Sequence, residues 1–406
     1  MPLQNAFTLN SNEIFGSIAN MIISQEVFAD NLGKHQTLVD KARVDGGLYG
    51  DKKLYYATDV LKSHPWGPSA GTYPAYESTE AGNLLAIERP ADPSVQDITL
   101  DKFRQIRLTV DNYLSKRAWA NEGAFSSFNS VMLGWMRETK RVYDGTLYNC
   151  FIGATSTSTG KQIVSVDLGT GSGHPLYNLS GVEKEQMEAM LIAQALADLF
   201  VAMGDYSRDF NDYQYLRSYA EDQIKVIWNA AFVNKIRKVD LPTIFHKDGL
   251  VGKFEEDVLP ARYFGTVITA SNKSSFSDAT PAAGKPIDAD DDSYVPGVNH
   301  ANGCIRSMVE KDVTVSATAY HVFPGDEIPA GATIKASGTF ELGEVYIEQA
   351  DVICKVLVKL PPMMSAFEVG TSFFNPRSLT ENHYLTFGHN TLEYLKNYPF
   401  ITVKKA

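Results

Sequence analysis

The stretch between His64 and Pro93 constrains the fold of this 406-residue chain more than any other feature. Its prolines and glycines are Pro65, Gly67, Pro68, Gly71, Pro74, Gly82, Pro90 and Pro93. Proline removes a backbone donor and glycine raises the entropic cost of ordering the chain, so a helix or a central strand is excluded here. We predict a long excursion of loop or extended ribbon that has no core of its own.

The segments on either side of this excursion have strand character. Residues 54–60 read as one strand, and the chain returns over residues 98–110, where Ile106, Leu108 and Val110 alternate with polar residues. Such alternation is typical of a half-buried strand.

Composition indicates that the rest of the chain folds. Hydrophobic residues make up 44% and aromatic residues 11%, which suits two to three domains with proper cores. The net charge of −11 argues against a protein that coats nucleic acid. Cys150, Cys304 and Cys354 form no C-x-x-C pair, and an odd number of cysteines favours a reducing, cytosolic setting.

Neither a secretory signal nor a membrane span is predicted. Residues 1–10 carry no basic residue before their first apolar run. The most apolar stretch, residues 190–203, is shorter than a membrane span and contains Gln194 and Asp198, so it indicates a soluble helix.

Periodicity predicts several elements along the chain. The longest helix should cover residues 124–150, with a stripe through Trp135, Thr139 and Val142 facing the core and Lys140 on the opposite, polar face. The other predicted elements are helices over 12–38, 182–203 and 230–245, the last interrupted by Pro242, strands over 162–167 and 223–228, and a β-rich insertion at about 271–350.

The strongest local motif is D-x-G-x-G-x-G at residues 167–173, the signature with which methyltransferases bind S-adenosylmethionine. That use requires a strand, a tight turn and a helix in direct succession. His174 and Pro175 follow at once, so we favour a flexible Gly and Ser loop over a cofactor site.

Other motifs are weaker. G-x-S-x-G at residues 67–71 lies among prolines that forbid the helix of a nucleophile elbow. Asp288, Asp290 and Asp292 lack the glycine and the glutamate of a calcium loop. His383 and His389 are six residues apart, which does not suit a helical metal site.

The tyrosines Tyr213, Tyr215 and Tyr219 have few basic neighbours and therefore indicate packing or an interface before base stacking. We assign no catalytic, cofactor-binding or metal-binding residues and no cofactor, and the motifs point away from an enzyme.

The order of these elements resembles the major capsid proteins of tailed bacteriophages with the Hong Kong 97-type fold. Three short stretches are similar to those of small podoviruses of the phi-twenty-nine type: residues 125–128, residues 217–222 and residues 374–379. The resemblance implies an α+β fold with an N-terminal arm, an extended hairpin called the E-loop, a spine helix, and peripheral and axial domains. The β-rich insertion has no counterpart that we can place in that family.

On this resemblance the chain divides into five segments. They are the arm (1–50), the E-loop (51–110), the peripheral domain with the spine helix (111–160), the axial domain with the insertion (161–360) and the return to the peripheral domain (361–406).

The resemblance also implies function and partners. It implies a major capsid protein that self-assembles, as pentamers and hexamers, into an icosahedral or prolate shell around double-stranded DNA. The implied partners are a scaffolding protein and a portal protein at one vertex, with no sequence-specific DNA binding and no membrane. The chain would be located in the virion after assembly in the host cytoplasm. The alternatives are an S-adenosylmethionine-dependent methyltransferase and another virion protein, such as a decoration or tail component.

Deleting residues 66–92 should prevent the formation of stable shells, because we expect residues 61–98 and the arm to be ordered against neighbouring copies. Electron microscopy of the deletion variant checks this. Shells of normal shape and stability would refute the predicted role of the excursion.

Overall fold

The structure is a computed structural model that describes residues 37–46, 52–61, 89–111, 122–157, 160–237, 255–273, 304–349 and 351–406. The tip of the predicted excursion, the G-x-S-x-G motif, the aspartate triplet and almost all of the predicted helix over 12–38 lie outside these residues.

Four α-helices are described: α1 (Thr37–Ala42), α2 (Glu122–Ala154), α3 (Gly181–Gly204) and α4 (Ala230–Arg237). The first eight described strands are β1 (Arg43–Asp45), β2 (Lys53–Ala57), β3 (Ser94–Ile98), β4 (Leu100–Val110), β5 (Ile163–Val166), β6 (Lys225–Asn229), β7 (Glu255–Leu259) and β8 (Gly265–Val267). The remaining described strands are β9 (Ile305–Ser307), β10 (Lys311–Val315), β11 (Thr318–Val322), β12 (Val345–Glu348), β13 (Val352–Leu357), β14 (Met363–Asn375), β15 (Thr380–Asn390) and β16 (Phe400–Lys405).

A five-stranded sheet with the order β5-β16-β13-β6-β7 forms the centre of the molecule. Helix α3 covers one face of this sheet, and the last turns of α2 together with α1 cover the other. The predicted strands over 162–167 and 223–228 are confirmed as β5 and β6. The predicted alternation in β6 holds only in part, because Ile227 is buried along with Val226 and Trp228. A strand between two covering layers buries both of its faces.

The long helix α2 is confirmed and extends a few residues beyond the predicted 124–150 at each end. The predicted assignment of its faces is wrong at two positions: Thr139 is exposed, and Lys140 is buried. Lys140 tolerates burial because its ammonium group is paired with carboxylates, as described below. Lys140, which we assigned to the solvent face, thus lies against the sheet that contains β14.

The second sheet has the order β1-β14-β15-β4. β14 and β15 form a long antiparallel hairpin, interrupted by a bulge between Ala366 and Val369. β4 pairs antiparallel with β15 along almost its whole length, which confirms the predicted strand character of residues 98–110. β1 is short and pairs in parallel with only Met363–Ser365 of β14.

The region predicted as a β-rich insertion contains strands β9 to β12 and a separate hydrophobic core that includes Ile305, Val313, Ile334 and Phe340. Its three-stranded sheet, β8-β12-β9, also takes in β8, which precedes residue 271. The proposed segment limits remain a prediction. The sheet pairing places β16, from the segment 361–406, beside β5 and β13 of the segment 161–360.

Helix α3 confirms the helix predicted over 182–203, and only part of its surface is buried. Ala189, Ile192, Leu196 and Met203 lie in the core, whereas Val201 is exposed, as are Val182 and Met190. Among the described helices, α3 is long and apolar enough to cross a membrane by length and composition. Its buried face against the central sheet is also what a core helix requires.

Lys355 joins three elements inside the core. It lies on β13 and is fully buried, and its ammonium group donates to the carbonyl of Thr155, just after α2, and to the hydroxyl of Thr402 on β16, both at 2.8 Å. Burial lowers the pKa of Lys355 to about 7. The end of the long helix is therefore fixed to the central sheet by a lysine that has no described carboxylate in hydrogen-bond contact.

At Gly153, α2 passes close to the backbone of Tyr263. A Cβ at this position would lie 2.1 Å from the carbonyl oxygen of Tyr263. Backbone atoms cannot yield as a flexible side chain can, so only glycine fits here.

Replacing Gly153 by alanine should lower the free energy of unfolding by about 3 kcal/mol, since the new methyl group must push the helix away from Tyr263. Gly204→Ala is the matched control, because a Cβ at that helical position meets nothing within 4 Å. We expect the control to change stability by less than about 1 kcal/mol. Chemical denaturation of both variants checks this, and equal stabilities would contradict the close approach.

Candidate functional site

β2 and β3 form an antiparallel pair, called the ribbon below, that supports the predicted excursion. The pairing runs from Lys53 opposite Ile98 to Ala57 opposite Ser94. Its outer face carries three exposed apolar side chains, Leu54 (45% accessible), Tyr56 (64%) and Val95 (46%), beside the exposed ion pair of Lys52 with Asp97. Exposed apolar side chains grouped on one face are typical of a surface that contacts another protein.

Asp59, directly after β2, anchors the ribbon to the loop that follows α3. Its carboxylate accepts hydrogen bonds from the guanidinium of Arg208 at 2.6 Å and from the backbone N–H of Leu216 at 3.0 Å. The bond from Leu216, together with that from Arg208, lowers the pKa of Asp59 to about 2. The carboxylate therefore stays ionised and the anchor stays closed over the whole physiological pH range.

A second set of hydrogen bonds fixes the other strand of the ribbon. The buried Gln96 of β3 donates to the carbonyl of Tyr394 and accepts from the N–H of Lys396, both at 3.0 Å. The hydroxyl of Tyr394 in turn donates to Asp212 at 2.6 Å. Burial and this contact with Asp212 raise the pKa of Tyr394. Both strands of the ribbon are thus held on the body, β2 just beyond its end towards the excursion and β3 at its middle.

A charged junction lies where β1, α2 and β14 meet, and it consists of Arg43, Lys140, Asp144 and Glu368. Lys140 contacts Glu368 at 3.1 Å and Asp144 at 3.9 Å, and Arg43 contacts Asp144 at 3.3 Å. Burial raises the pKa of Asp144 to about 6 although two cations face it. The junction connects the segment that precedes the ribbon, the long helix and the hairpin.

An ion pair and a carbonyl contact connect β4 to the β-rich region. The guanidinium of Arg104 contacts the carboxylate of Glu310 at 3.2 Å and donates to its carbonyl at 3.1 Å. Arg104 also stacks on the ring of Tyr143 at 4.7 Å, on α2. This contact holds the β-rich region beside the second sheet, β1-β14-β15-β4, which is called the peripheral sheet below.

The D-x-G-x-G-x-G motif forms a loop with a hydrogen bond between two of its own residues. Asp167 accepts a hydrogen bond from the N–H of Gly169 at 2.9 Å, and the next helix, α3, begins only at Gly181. The strand, turn and helix that S-adenosylmethionine binding needs do not follow one another here. This geometry agrees with the loop interpretation that we favoured from the sequence.

The histidines and tyrosines are used in packing. His389 is buried, and its Nε2 lies 2.8 Å from the hydroxyl of Tyr143, while burial lowers its pKa. Tyr215 is hydrogen-bonded to Ser94 at 2.6 Å, and the Tyr219 hydroxyl donates to a backbone carbonyl. No disulfide joins Cys150, Cys304 and Cys354. Within the described parts of the chain, no three acidic, histidine or cysteine side chains are grouped as a metal site.

Sequence reasoning missed the ribbon anchor and the charged junction. The signals were present but ambiguous: Lys140 and Asp144 have the i,i+4 spacing of an ordinary surface pair, and Asp59 follows a strand as many turn residues do. Their partners, Glu368 and Leu216, are more than 150 positions away in the chain. Only the tertiary fold shows that these residues meet.

Comparison with known proteins supplies the fold. No protein-family model and no curated protein sequence matches the chain. A chain from the capsid structure of Staphylococcus phage Andhra superposes with a TM-score of 0.50 at 10% identity, over 88% of this chain and 81% of that chain. A chain from the structure of the head fiber and inner core protein of native bacteriophage P68 gives a TM-score of 0.49 at 8% identity, over 90% and 86%.

The similarity to the Andhra capsid chain, together with the element order, confirms the predicted α+β class and the Hong Kong 97-type capsid fold. The assignment of α2 to the spine helix, of the ribbon to the E-loop and of the sheet with β14 and β15 to the peripheral domain remains a prediction.

Replacing Lys140 by alanine should lower the free energy of unfolding by about 3 kcal/mol, because it leaves the buried Asp144 with only one cation. Lys161→Ala is the control, since it removes one cation from an exposed pair, Lys161 with Asp209. We expect that change to cost less than about 1 kcal/mol. Urea denaturation of the two variants measures the difference, and similar losses would show that the junction is no stronger than a surface pair.

Proposed function

We propose that this chain is the major capsid protein of a tailed bacteriophage, and that copies of it assemble into a closed icosahedral or prolate shell around double-stranded DNA. The fold supports this role, because it is a capsid fold along nearly the whole chain. The role proposed is structural and not enzymatic.

The observation that carries the proposal is the exposed outer face of the ribbon. Leu54, Tyr56 and Val95 present apolar area to solvent on a ribbon that is fixed to the body by two sets of hydrogen bonds. In a monomer this face would remain exposed at a cost in free energy. If a neighbouring copy covers it, the same face stabilises the assembly, and these hydrogen bonds set the direction in which the ribbon reaches that neighbour.

The finer assignments are part of the same proposal. We propose that the copies form pentamers and hexamers, that a scaffolding protein assists assembly and that a portal protein occupies one vertex. The mature protein would be located in the virion after assembly in the host cytoplasm. The similarity of residues 125–128, 217–222 and 374–379 to podoviruses of the phi-twenty-nine type supports a relationship with that group.

The acidic balance of the chain suits a container for DNA. A shell lined with lysine and arginine would bind the phosphate backbone and hinder packaging. We propose that the net charge of −11 reflects an inner surface that is neutral or acidic.

The two alternative functions have less support. The methyltransferase alternative needs a helix directly after residues 167–173, and the described loop does not provide one. A decoration or tail component would explain the β-rich region, but not the spine helix and the anchored ribbon.

Size-exclusion chromatography with electron microscopy of the purified full-length chain tests the proposal. We expect closed shells, alone or after addition of a scaffolding protein from the same phage. Tyr56→Asp combined with Val95→Asp should reduce shell yield strongly, because it places charges on the face that a neighbour covers. Circular dichroism should show an unchanged fold in this variant.

Two results would contradict the proposed function. One is a wild-type chain that yields only monomers or open rings with scaffolding protein present. The other is a double variant that forms shells as efficiently as the wild type, which would show that the outer face of the ribbon is not part of the assembly contact.

A further inference from the structure

The two long edges of the peripheral sheet differ in how they are protected. Edge strands offer unpaired N–H and C=O groups to any other strand, and proteins usually block them with charged residues or cover them. On one side of the sheet, β4 carries Lys102, Arg104 and Arg107. On the other side, β14 is covered by β1 only at Met363–Ser365.

Beyond that short pairing, no strand of the described part of the chain covers residues 369–375 of β14 on the side away from β15. Their sequence, Val-Gly-Thr-Ser-Phe-Phe-Asn, contains no charged residue and no proline. Within the described residues, β15 is the only strand that pairs with them. Phe373 is 62% and Phe374 50% exposed, and they point to opposite faces of the strand. Long, apolar, uncharged edges of this kind readily pair with another strand.

We propose that residues 369–375 pair antiparallel with the same residues of a second copy of this chain across a two-fold axis. The contact joins the two peripheral sheets into one continuous sheet. It rests on the proposed shell role and adds to that role a specific contact between two copies.

The sequence of the edge is complementary to itself. With Ser372 on the two-fold axis, each Phe374 lies opposite Gly370 of the other copy, and each Phe373 lies opposite Thr371. Large residues thus meet small ones on both faces. A phenyl ring across from an edge glycine is a known way to cover exposed strand backbone.

The space that this register requires is free. A Cβ built on Gly370 would meet nothing within 4 Å. Gly370, Thr371 and Ser372 also line an open groove of about 920 Å³ between β14 and α2. A side chain of the second copy that faces Gly370 therefore meets open space where a Cβ would lie, beside the mouth of this groove.

The lack of charge on this edge permits a second copy of the chain to pair with it. Because the edge has no charged residue, two identical edges can oppose each other without like charges facing across the strands. The same operation on β4 would bring Arg104 and Arg107 close to their own copies and is disfavoured. A pairing of seven residues is smaller than a stable independent interface of at least about 1,000 Å², so we expect it to be weak in the dilute chain and populated within an assembly.

Disulfide trapping of the full-length chain tests the pairing. In Ser372→Cys the two introduced thiols lie opposite each other, where Cα atoms of paired strands are about 4.5–5.5 Å apart and a disulfide can form. Mild oxidation of assembled particles, and of the concentrated soluble chain, should give a covalent dimer on a non-reducing gel. Gln105→Cys, on the protected β4 edge, is the matched control and should remain monomeric.

A second variant separates pairing from chance collision. Thr371→Lys combined with Ser372→Cys places like charges beside the axis in both copies, and the covalent dimer should be lost. Circular dichroism and the thermal unfolding midpoint should not change, since Thr371 is exposed in the single chain.

The outcomes distinguish this inference from the proposed function. Shells without a Ser372→Cys dimer, or equal dimer yields from Ser372→Cys and Gln105→Cys, would overturn the pairing and leave the shell role in place. A specific dimer from a chain that never forms shells would support the pairing and count against the shell role.

Discussion

The packing of one long helix against two different sheets is the constraint on which the rest of the structure depends. The last turns of α2 bury Tyr148, Phe151 and Ile152 against the central sheet, and the close approach at Gly153 fixes how far the helix extends into that core. One to two turns before Tyr148, the same helix meets the peripheral sheet through Lys140 and Asp144. Because the buried face of α2 combines Lys140 and Asp144 with Met136 and Tyr143 at one sheet and is apolar at the other, a single rigid element determines where both sheets lie. The central sheet in turn fixes the position of the ribbon, since the ribbon is hydrogen-bonded to the loops that lead into β6 and β16.

Local patterns predicted much of this architecture and failed where distant residues meet. The apolar periodicity of α2 and α3 and the alternation in β4 were sufficient to place these elements, because each depends on its own sequence. The assignment of Lys140 to the polar face was wrong, because a lysine normally marks solvent and its partner Glu368 is 228 positions away. The role of Asp59 was equally hidden, since its bonds to Arg208 and Leu216 join distant parts of the chain. The loop at residues 167–173 shows the opposite case: His174 and Pro175 after the motif argued against a helix start, and the next helix begins only at Gly181.

The proposed shell role accounts for features that a monomer leaves unexplained. A chain with a well-packed core exposes apolar side chains on two elements, the outer face of the ribbon and the edge of β14. Both elements are fixed to the body, the ribbon by Asp59 and Gln96 and the hairpin by the charged junction. Rigid elements with apolar faces lose little conformational entropy when a neighbour binds them. Many weak contacts can therefore add up to a stable assembly.

A cryo-electron microscopy map of the assembled particle tests this account most directly, because it shows what covers each exposed face. The account predicts a closed shell in which the outer face of the ribbon, with Leu54, Tyr56 and Val95, is buried against a neighbouring copy while the ribbon keeps the contacts of Asp59 with Arg208 and Leu216. A closed shell in which these three side chains remain in solvent, or in which the ribbon has left its anchor, would contradict the central claim.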